Sequence, residues 1–174
     1  YIKDKFLLPI DILEIGTGSG CISVALKKEL GNVNITATDI SKDSLELAKQ
    51  NSKENNAKID FVNTNIFDGI NKKFDCIISN PPYISKDEKI MDIVYNNEPH
   101  IALFADNKGL YFYEEILKNA KNILKDKYLI CFEIGMTQAK QIKELCDKYL
   151  IDAKVEVKKD LEKRDRMIFI YNFE

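Results

Sequence analysis

Histidine is almost missing from this chain: His100 is the only one. With one histidine, and no two of Cys21, Cys76, Cys131 and Cys146 close enough to form a Cys-x-x-Cys pair, no metal site is expected. Three of the cysteines lie in apolar runs or at a helix start, where reduced, packed thiols are expected. That usage fits a reducing, cytoplasmic compartment. No apolar run is long enough to span a membrane, and Tyr1-Ile2-Lys3-Asp4-Lys5 does not read as a signal peptide. Neither sign of charge dominates, since 26 Lys and Arg face 28 Asp and Glu. This argues against a broad basic face for nucleic acid but leaves room for a local patch. Repeats, low-complexity tracts and an internal domain boundary are also lacking. The 174 residues, 45% of them hydrophobic, read as one domain over 1–174 with a sizeable core. The chain does not begin with Met, so a fragment or a processed chain is among the readings.

Proline is scarce as well, with four residues, yet two of them are adjacent. They sit in Ser79-Asn80-Pro81-Pro82-Tyr83, just after the apolar run Phe74 to Ser79, which reads as a buried strand. Two prolines cannot donate to a sheet ladder, so the chain must leave the sheet past Asn80. A primary amide, a stiff turn and an aromatic ring are thereby delivered to the carboxyl end of a strand, where open α/β sheets bind ligands.

The chain before this turn opens as a βαβ unit. Ile10 to Ile15 is an apolar strand, Gly16-Thr17-Gly18-Ser19-Gly20 a turn, and Cys21 to about Leu30 a helix that stops at Gly31. Glycines permit a tight turn and close approach of a ligand, and the helix start offers free N–H groups. The strand Asn34 to Thr38 ends at Asp39, about twenty residues beyond the glycines, where a carboxylate can accept from two ribose hydroxyls. Asp39 has a competing reading as a helix cap, but Ser41 fills that place better for the helix Lys42 to about Asn55, and the ribose reading is preferred. Ile59 to Val62 is a third strand, followed by the polar loop Asn63 to Gly69. Ile66 in that loop reads equally as an adenine contact or a core residue.

Ile84 to Lys108 is long and irregular, so it reads as a lid or a substrate-holding segment. Leu110 to Leu124 is an amphipathic helix, Tyr128 to Ile134 a fifth strand, and Thr137 to Tyr149 a helix with Thr137 as its cap. Ala153 to Val157 and Met167 to Tyr171 are strands joined by the charged connection Asp160 to Arg166. With no helix between them, they pair antiparallel. Alternating strands and helices predict a mostly parallel sheet covered on both faces.

Which nucleotide the glycines serve is narrowed by spacing. The dinucleotide fingerprint places its third glycine one position later, where Cys21 stands, and the Walker Lys-Ser or Lys-Thr is absent. This combination, with Asp39 and the Asn-Pro-Pro-Tyr turn, resembles class I, Rossmann-like S-adenosylmethionine-dependent methyltransferases. The ordered set Ile15 to Gly20, Ser79 to Ile84, Glu98-Pro99 with Ala102-Leu103, Gly109-Leu110, Glu133-Ile134-Gly135 and Asp160 to Arg166 is similar to one family. These are the protein-(glutamine-N5) methyltransferases that modify peptide chain release factors. The similarity extends over nearly the whole chain.

The resemblance implies a seven-stranded sheet with the last strand antiparallel. It also implies S-adenosyl-L-methionine as cofactor, S-adenosyl-L-homocysteine as product, and release factors as protein substrates methylated in their Gly-Gly-Gln motif. The cofactor is expected on Gly16, Thr17, Gly18, Ser19 and Gly20, on Asp39 and Ile40, on Asn65 and Ile66, and on Asn80. Asn80, Pro81 and Tyr83 carry catalysis, and Pro82 joins them in holding the substrate. The family's N-terminal helical domain and its Pro-Arg-Pro-x-Thr-Glu-like segment are expected to be absent, Asn65 stands where Asp is common, and Ile66 stands where a larger side chain occurs.

From the residues themselves, Asn80 can instead cap the turn and Tyr83 fill the core. Glu98 and Glu133 read equally as site organisers or backbone partners. Arg164 and Arg166 read as an ion-pair cluster with Asp160 and Asp165, and His100 as a loop residue without catalytic work. Two rival functions remain. An adenine-N6 methyltransferase of DNA or RNA can use the same turn on a flipped base. A non-catalytic module can bind nucleotide or a partner protein. Near-neutral charge argues against the first, so no nucleic-acid partner is expected, and without an apolar run of spanning length no membrane is expected; the oligomeric state is unknown.

Overall fold

A computed structural model describes residues 1–85 and 104–174. Nine strands are described: β1 Ile10–Ile15, β2 Val33–Asp39, β3 Asp60–Asn63, β4 Phe74–Ser79, β5 Ile84–Ser85, β6 Phe104–Ala105, β7 Leu124–Glu133, β8 Lys154–Lys159 and β9 Asp165–Tyr171. Seven of them form one sheet in the order β3-β2-β1-β4-β7-β9-β8, and β5 pairs with β6 apart from it. All pairs across β3-β2-β1-β4-β7 are parallel. Only β9 runs the other way, antiparallel to both of its neighbours. The seven-stranded sheet with an antiparallel last strand is as expected.

The central strands are buried on both faces, which is why they read as largely apolar runs. Successive residues alternate between two cores. Leu13, Ile15, Ile77, Ile130, Ile168 and Ile170 enter one core, together with the helices α5 Tyr111–Ile123 and α6 Ala139–Tyr149. Ile12, Cys76 and Leu129 enter the other, with Leu26 and Leu30 of α2 Cys21–Leu30 packed against them. Helix α5 buries Tyr113, Ile116, Leu117, Ala120 and Ile123, a stripe at the 3.6-residue period. Truncating Leu117 to Ala in this stripe costs about 2–5 kcal/mol. The short α1 Ile2–Lys5, α3 Lys42–Glu54 and α4 Asp106–Gly109 complete the described helices.

Several boundaries differ from those read off the sequence. Strand β7 starts at Leu124 rather than Tyr128, because Leu124 pairs with Phe74 ahead of a register shift. Thr137 does not cap α6; Gln138 is at the N-cap and makes no capping bond. Cys21 is exposed rather than packed, while Cys76 and Cys146 are buried. The segment 84–108 carries short strands and a helical turn at its described ends. Glu98, Pro99, His100, Ala102, Leu103 and most of the expected lid lie outside the described residues.

Candidate active site

Strand register places the site. Thr38 pairs with Ile15, Ile15 with Ser79, and Ser79 with Phe132, so one row crosses β2, β1, β4 and β7. The next residue along each parallel strand is Asp39, Gly16, Asn80 or Glu133. Four positions far apart in sequence thus share one carboxyl edge. The strand order reverses between β1 and β4, so the edge coincides with the topological switch point of the sheet.

The loop after β1 presents glycine backbone at Gly16 and Gly18. Gly16 and Gly18 have φ of +69° and +54°, and a Cβ built on either meets no protein atom within 4 Å. Side chains there would be strained and would fill an open cradle. The N–H groups of Gly16 and Thr17 both donate to the Thr38 carbonyl, fastening the loop to β2. Ser19 is half-buried, and its carbonyl accepts from the Asn51 side-chain amide at 2.9 Å. Gly20 is the N-cap of α2 and lies against Ala48 of α3.

Under the loop lies Glu14, 1% exposed. Its carboxylate accepts from the Thr17 hydroxyl at 2.7 Å and from the Ser23 hydroxyl. Burial pushes its pKa up, against the hydroxyl bonds that favour the anion. One buried carboxylate thus ties the loop to the first turn of α2. A carboxylate inside an otherwise apolar strand is its sign in the sequence, outside the glycine and proline motifs.

Asp39 is half-buried. Its carboxylate accepts from the Gly18 N–H and the Ser41 N–H, each at 2.9 Å and each on a different oxygen. Each oxygen keeps a lone pair for a further donor. Ser41 caps α3 by accepting from the Ser44 N–H at 3.2 Å, so the cap belongs to Ser41 as expected. The corner is held by Asn63, which no motif flagged: its amide donates to the Asp39 and Ile40 carbonyls, both at 2.9 Å. Ile40 is left 57% exposed beside the carboxylate, an apolar surface with no packing role. Asn65 is exposed. Ile66 is half-buried against the larger core, and its carbonyl accepts from the Thr38 hydroxyl at 2.8 Å. Its φ of +52° is strained for a β-branched residue.

Asn80 is exposed, Pro81 buried, and Pro82 and Tyr83 half-buried. Among the described residues no group hydrogen-bonds the Asn80 side-chain amide, so it does not cap its own turn. Ser79 before it is pinned, donating to the Ile15 carbonyl at 2.8 Å. The Tyr83 ring packs against the larger core, and its hydroxyl accepts from Arg166 Nη1 at 3.4 Å. Arg166 also lies 3.6 Å from Asp160 and 4.0 Å from Glu133. Arg164 pairs with Asp160 and Glu162. The Glu133 carbonyl accepts from the Tyr113 hydroxyl at 2.8 Å. A largely apolar cavity of about 670 Å³ runs from Asn80 and Glu133 past Ile78, Cys131 and Phe169 to Tyr1. Among the described residues no group of His, Cys, Asp and Glu is arranged to hold a metal, and no helix is long and apolar enough to cross a membrane.

Set beside known proteins, residues 5–97 match the family described as "Methyltransferase small domain". A release factor glutamine methyltransferase of Streptococcus pneumoniae is 40% identical over 164 residues; the match covers 92% of this chain and 58% of that relative. A bifunctional methyltransferase of Rickettsia typhi is 44% identical over 171 residues, covering 95% of this chain and 33% of its own length. The chain therefore spans from a third to somewhat over half of these two relatives. Among solved structures, a methyltransferase from Pyrococcus furiosus superposes with a TM-score of 0.73 at 21% identity, over 99% of this chain and 80% of its own.

Proposed function

Because the chain belongs to the methyltransferase small domain family, we propose that it transfers a methyl group from S-adenosyl-L-methionine to the N5 nitrogen of a glutamine side chain in peptide chain release factors. One observation carries the reading: a primary amide that no described group engages, Asn80, stands one strand away from a glycine cradle, on the same sheet edge. The relatives' names supply the substrate class.

The edge fits the cofactor. The glycine cradle takes a group in contact with backbone, the spare lone pairs of Asp39 take vicinal ribose hydroxyls, and the exposed face of Ile40 takes a flat base. When bound, S-adenosyl-L-methionine supplies an electrophilic methyl on a sulfonium centre, so the chain has no need to activate that carbon.

The work left to the chain is on the nitrogen. An amide nitrogen is a poor nucleophile because its lone pair is delocalised into the carbonyl. The Asn80 side-chain oxygen and the Pro81 carbonyl accept the two N–H bonds of the substrate amide. Acceptors set out of the amide plane favour a pyramidal nitrogen and localise its lone pair, which stabilises the transition state more than the ground state; once the nitrogen carries the methyl, one of its two N–H protons passes to solvent and S-adenosyl-L-homocysteine is left. Pro81 and Pro82 hold the two acceptors in fixed relation. Tyr83, half-buried with its ring against the core, would offer the substrate amide a flat surface to pack on.

The test is methyl transfer to a purified release factor, with mass spectrometry locating the product. One methyl on the glutamine of the Gly-Gly-Gln loop is the expected result. Transfer to adenine in DNA or RNA, and none to the release factor, would replace this reading with the nucleic-acid one.

A further inference from the structure

We propose that Gln138 is a positioning residue of the Asn-Pro-Pro-Tyr turn, its side-chain amide clamping the Tyr83 carbonyl and thereby setting where Asn80 points. The clamp is read from geometry alone; its effect on turnover rests on the methyl-transfer reading above.

Gln138 is 7% exposed and lies in the interior where three loops meet. Its Oε1 accepts from the Gly135 N–H at 2.9 Å. Its Nε2 donates to the Tyr83 carbonyl at 2.9 Å and to the Gly109 carbonyl at 3.3 Å. The orientation is unambiguous, because a flipped amide would set its oxygen against two carbonyl oxygens. One side chain thus joins the turn after β4, the segment before α5 and the loop after β7.

The glycines around it exist to make room. A Cβ on Gly109 would fall 2.1 Å from the Tyr83 carbonyl oxygen and 2.7 Å from Gln138 Nε2, and Gly109 has a φ of +79°. A Cβ on Gly135 would fall 2.9 Å from Gln138 Oε1. The N-cap position of α6 also makes sense. Ser, Thr, Asn and Asp are preferred there because they cap. Gln138 leaves the helix uncapped and sends its amide to the loops instead.

The clamp acts at a short lever. Tyr83 lies three residues past Asn80, and the two residues between are prolines with fixed φ. A shift of the Tyr83 carbonyl is therefore transmitted to Asn80 rather than absorbed. At its far end Tyr83 meets Arg166 only at 3.4 Å, so the glutamine supplies the shorter and better-defined restraint.

The experiment uses the whole chain labelled with 3-fluorotyrosine, the Tyr83 fluorine resonance being assigned with Tyr83→Phe. Gln138→Met keeps length and apolar volume but removes all three hydrogen bonds. The Tyr83 resonance is expected to shift or broaden. The kcat for release-factor methylation is expected to fall tenfold or more, with KM and the Kd for S-adenosyl-L-homocysteine within threefold of the parent. An unmoved resonance, or an unchanged kcat, overturns the proposal. Gln138→Glu gives the second reading. Its carboxylate faces two carbonyls at neutral pH and regains one donor on protonation, so the Tyr83 resonance returns toward the parent position as pH falls. A side chain that merely fills space would show no such pH dependence, and this variant decides alone if Gln138→Met does not fold. If the unsubstituted chain transfers no methyl to a release factor, the proposed function fails and the fluorine resonance still decides the clamp.

Discussion

The two edges of the sheet are both polar and are built on opposite terms. At the amino edge, Asp11 at the start of β1 accepts from Lys125 at 2.8 Å and Lys72 at 2.6 Å, and Lys125 reaches Asp75 at 2.7 Å. Charge meets charge there, and the cluster is closed on itself. At the carboxyl edge, Asp39 is held by backbone N–H groups and Asn80 by no described group, so capacity for a ligand is left over. The amino edge turns its polar groups into stability, and the carboxyl edge keeps them available for chemistry.

Substitutions at one edge should therefore leave the other's observable alone. The largest effect is expected for Asn80→Ala, which lowers methyl transfer by about a thousandfold, with melting temperature and S-adenosyl-L-homocysteine affinity unchanged. Equal loss of affinity and transfer would remove Asn80 from its assigned role. Asp39→Ala comes next. Losing charge-assisted bonds to two hydroxyls weakens cofactor affinity by about ten- to a hundredfold, read by calorimetry. Unchanged affinity would refute the ribose assignment.

The amino edge gives the converse. Burial raises the Asp11 pKa, but bonds from Lys125, Lys72 and Asn34 outweigh it and hold the carboxyl at about 2, against an ordinary 3.8. A depressed carboxyl stabilises above its unfolded pKa and loses that contribution as pH falls through the folded one. Stability should thus decline between about pH 4 and pH 2, by at most about 2 kcal/mol from this group. Lys125→Met should remove part of it at pH 7, flatten that stretch of the acid unfolding curve, and leave cofactor affinity untouched. A change in affinity would mean that the edges communicate through β1 and β4. The smallest effect is expected for Glu46→Ala, whose exposed pair with Lys49 spans one helix turn. Melting should not move measurably.

Much of this is legible in the amino-acid sequence. The alternation of apolar runs with amphipathic helices announces the sheet, and proline and glycine punctuation announces its carboxyl edge, because both signals are local. Contacts made across sequence distance were not legible. Gln138 meets Tyr83 over 55 residues and Asn63 meets Ile40 over 23, and neither side chain differs locally from an ordinary polar residue. Thr137 attracted the cap assignment because it is the better cap by type, yet the helix begins one residue later around a side chain with other business. Cys21 looked like a packed thiol at a helix start, but the open loop before it leaves it exposed.

The placement of β9 also bears on how the chain is made. Strand β9 follows β8 in the chain, yet it lies between β7 and β8. Strand β8 has no other partner in the sheet, and Ile168 and Ile170 enter the main core from β9. As a nascent chain leaves the ribosome, β7 therefore waits with an open edge and β8 with none to join until β9 emerges behind them. Vectorial synthesis can complete the β3-β2-β1-β4-β7 half early, but the sheet closes only once β9 arrives, by insertion rather than by addition to its rim.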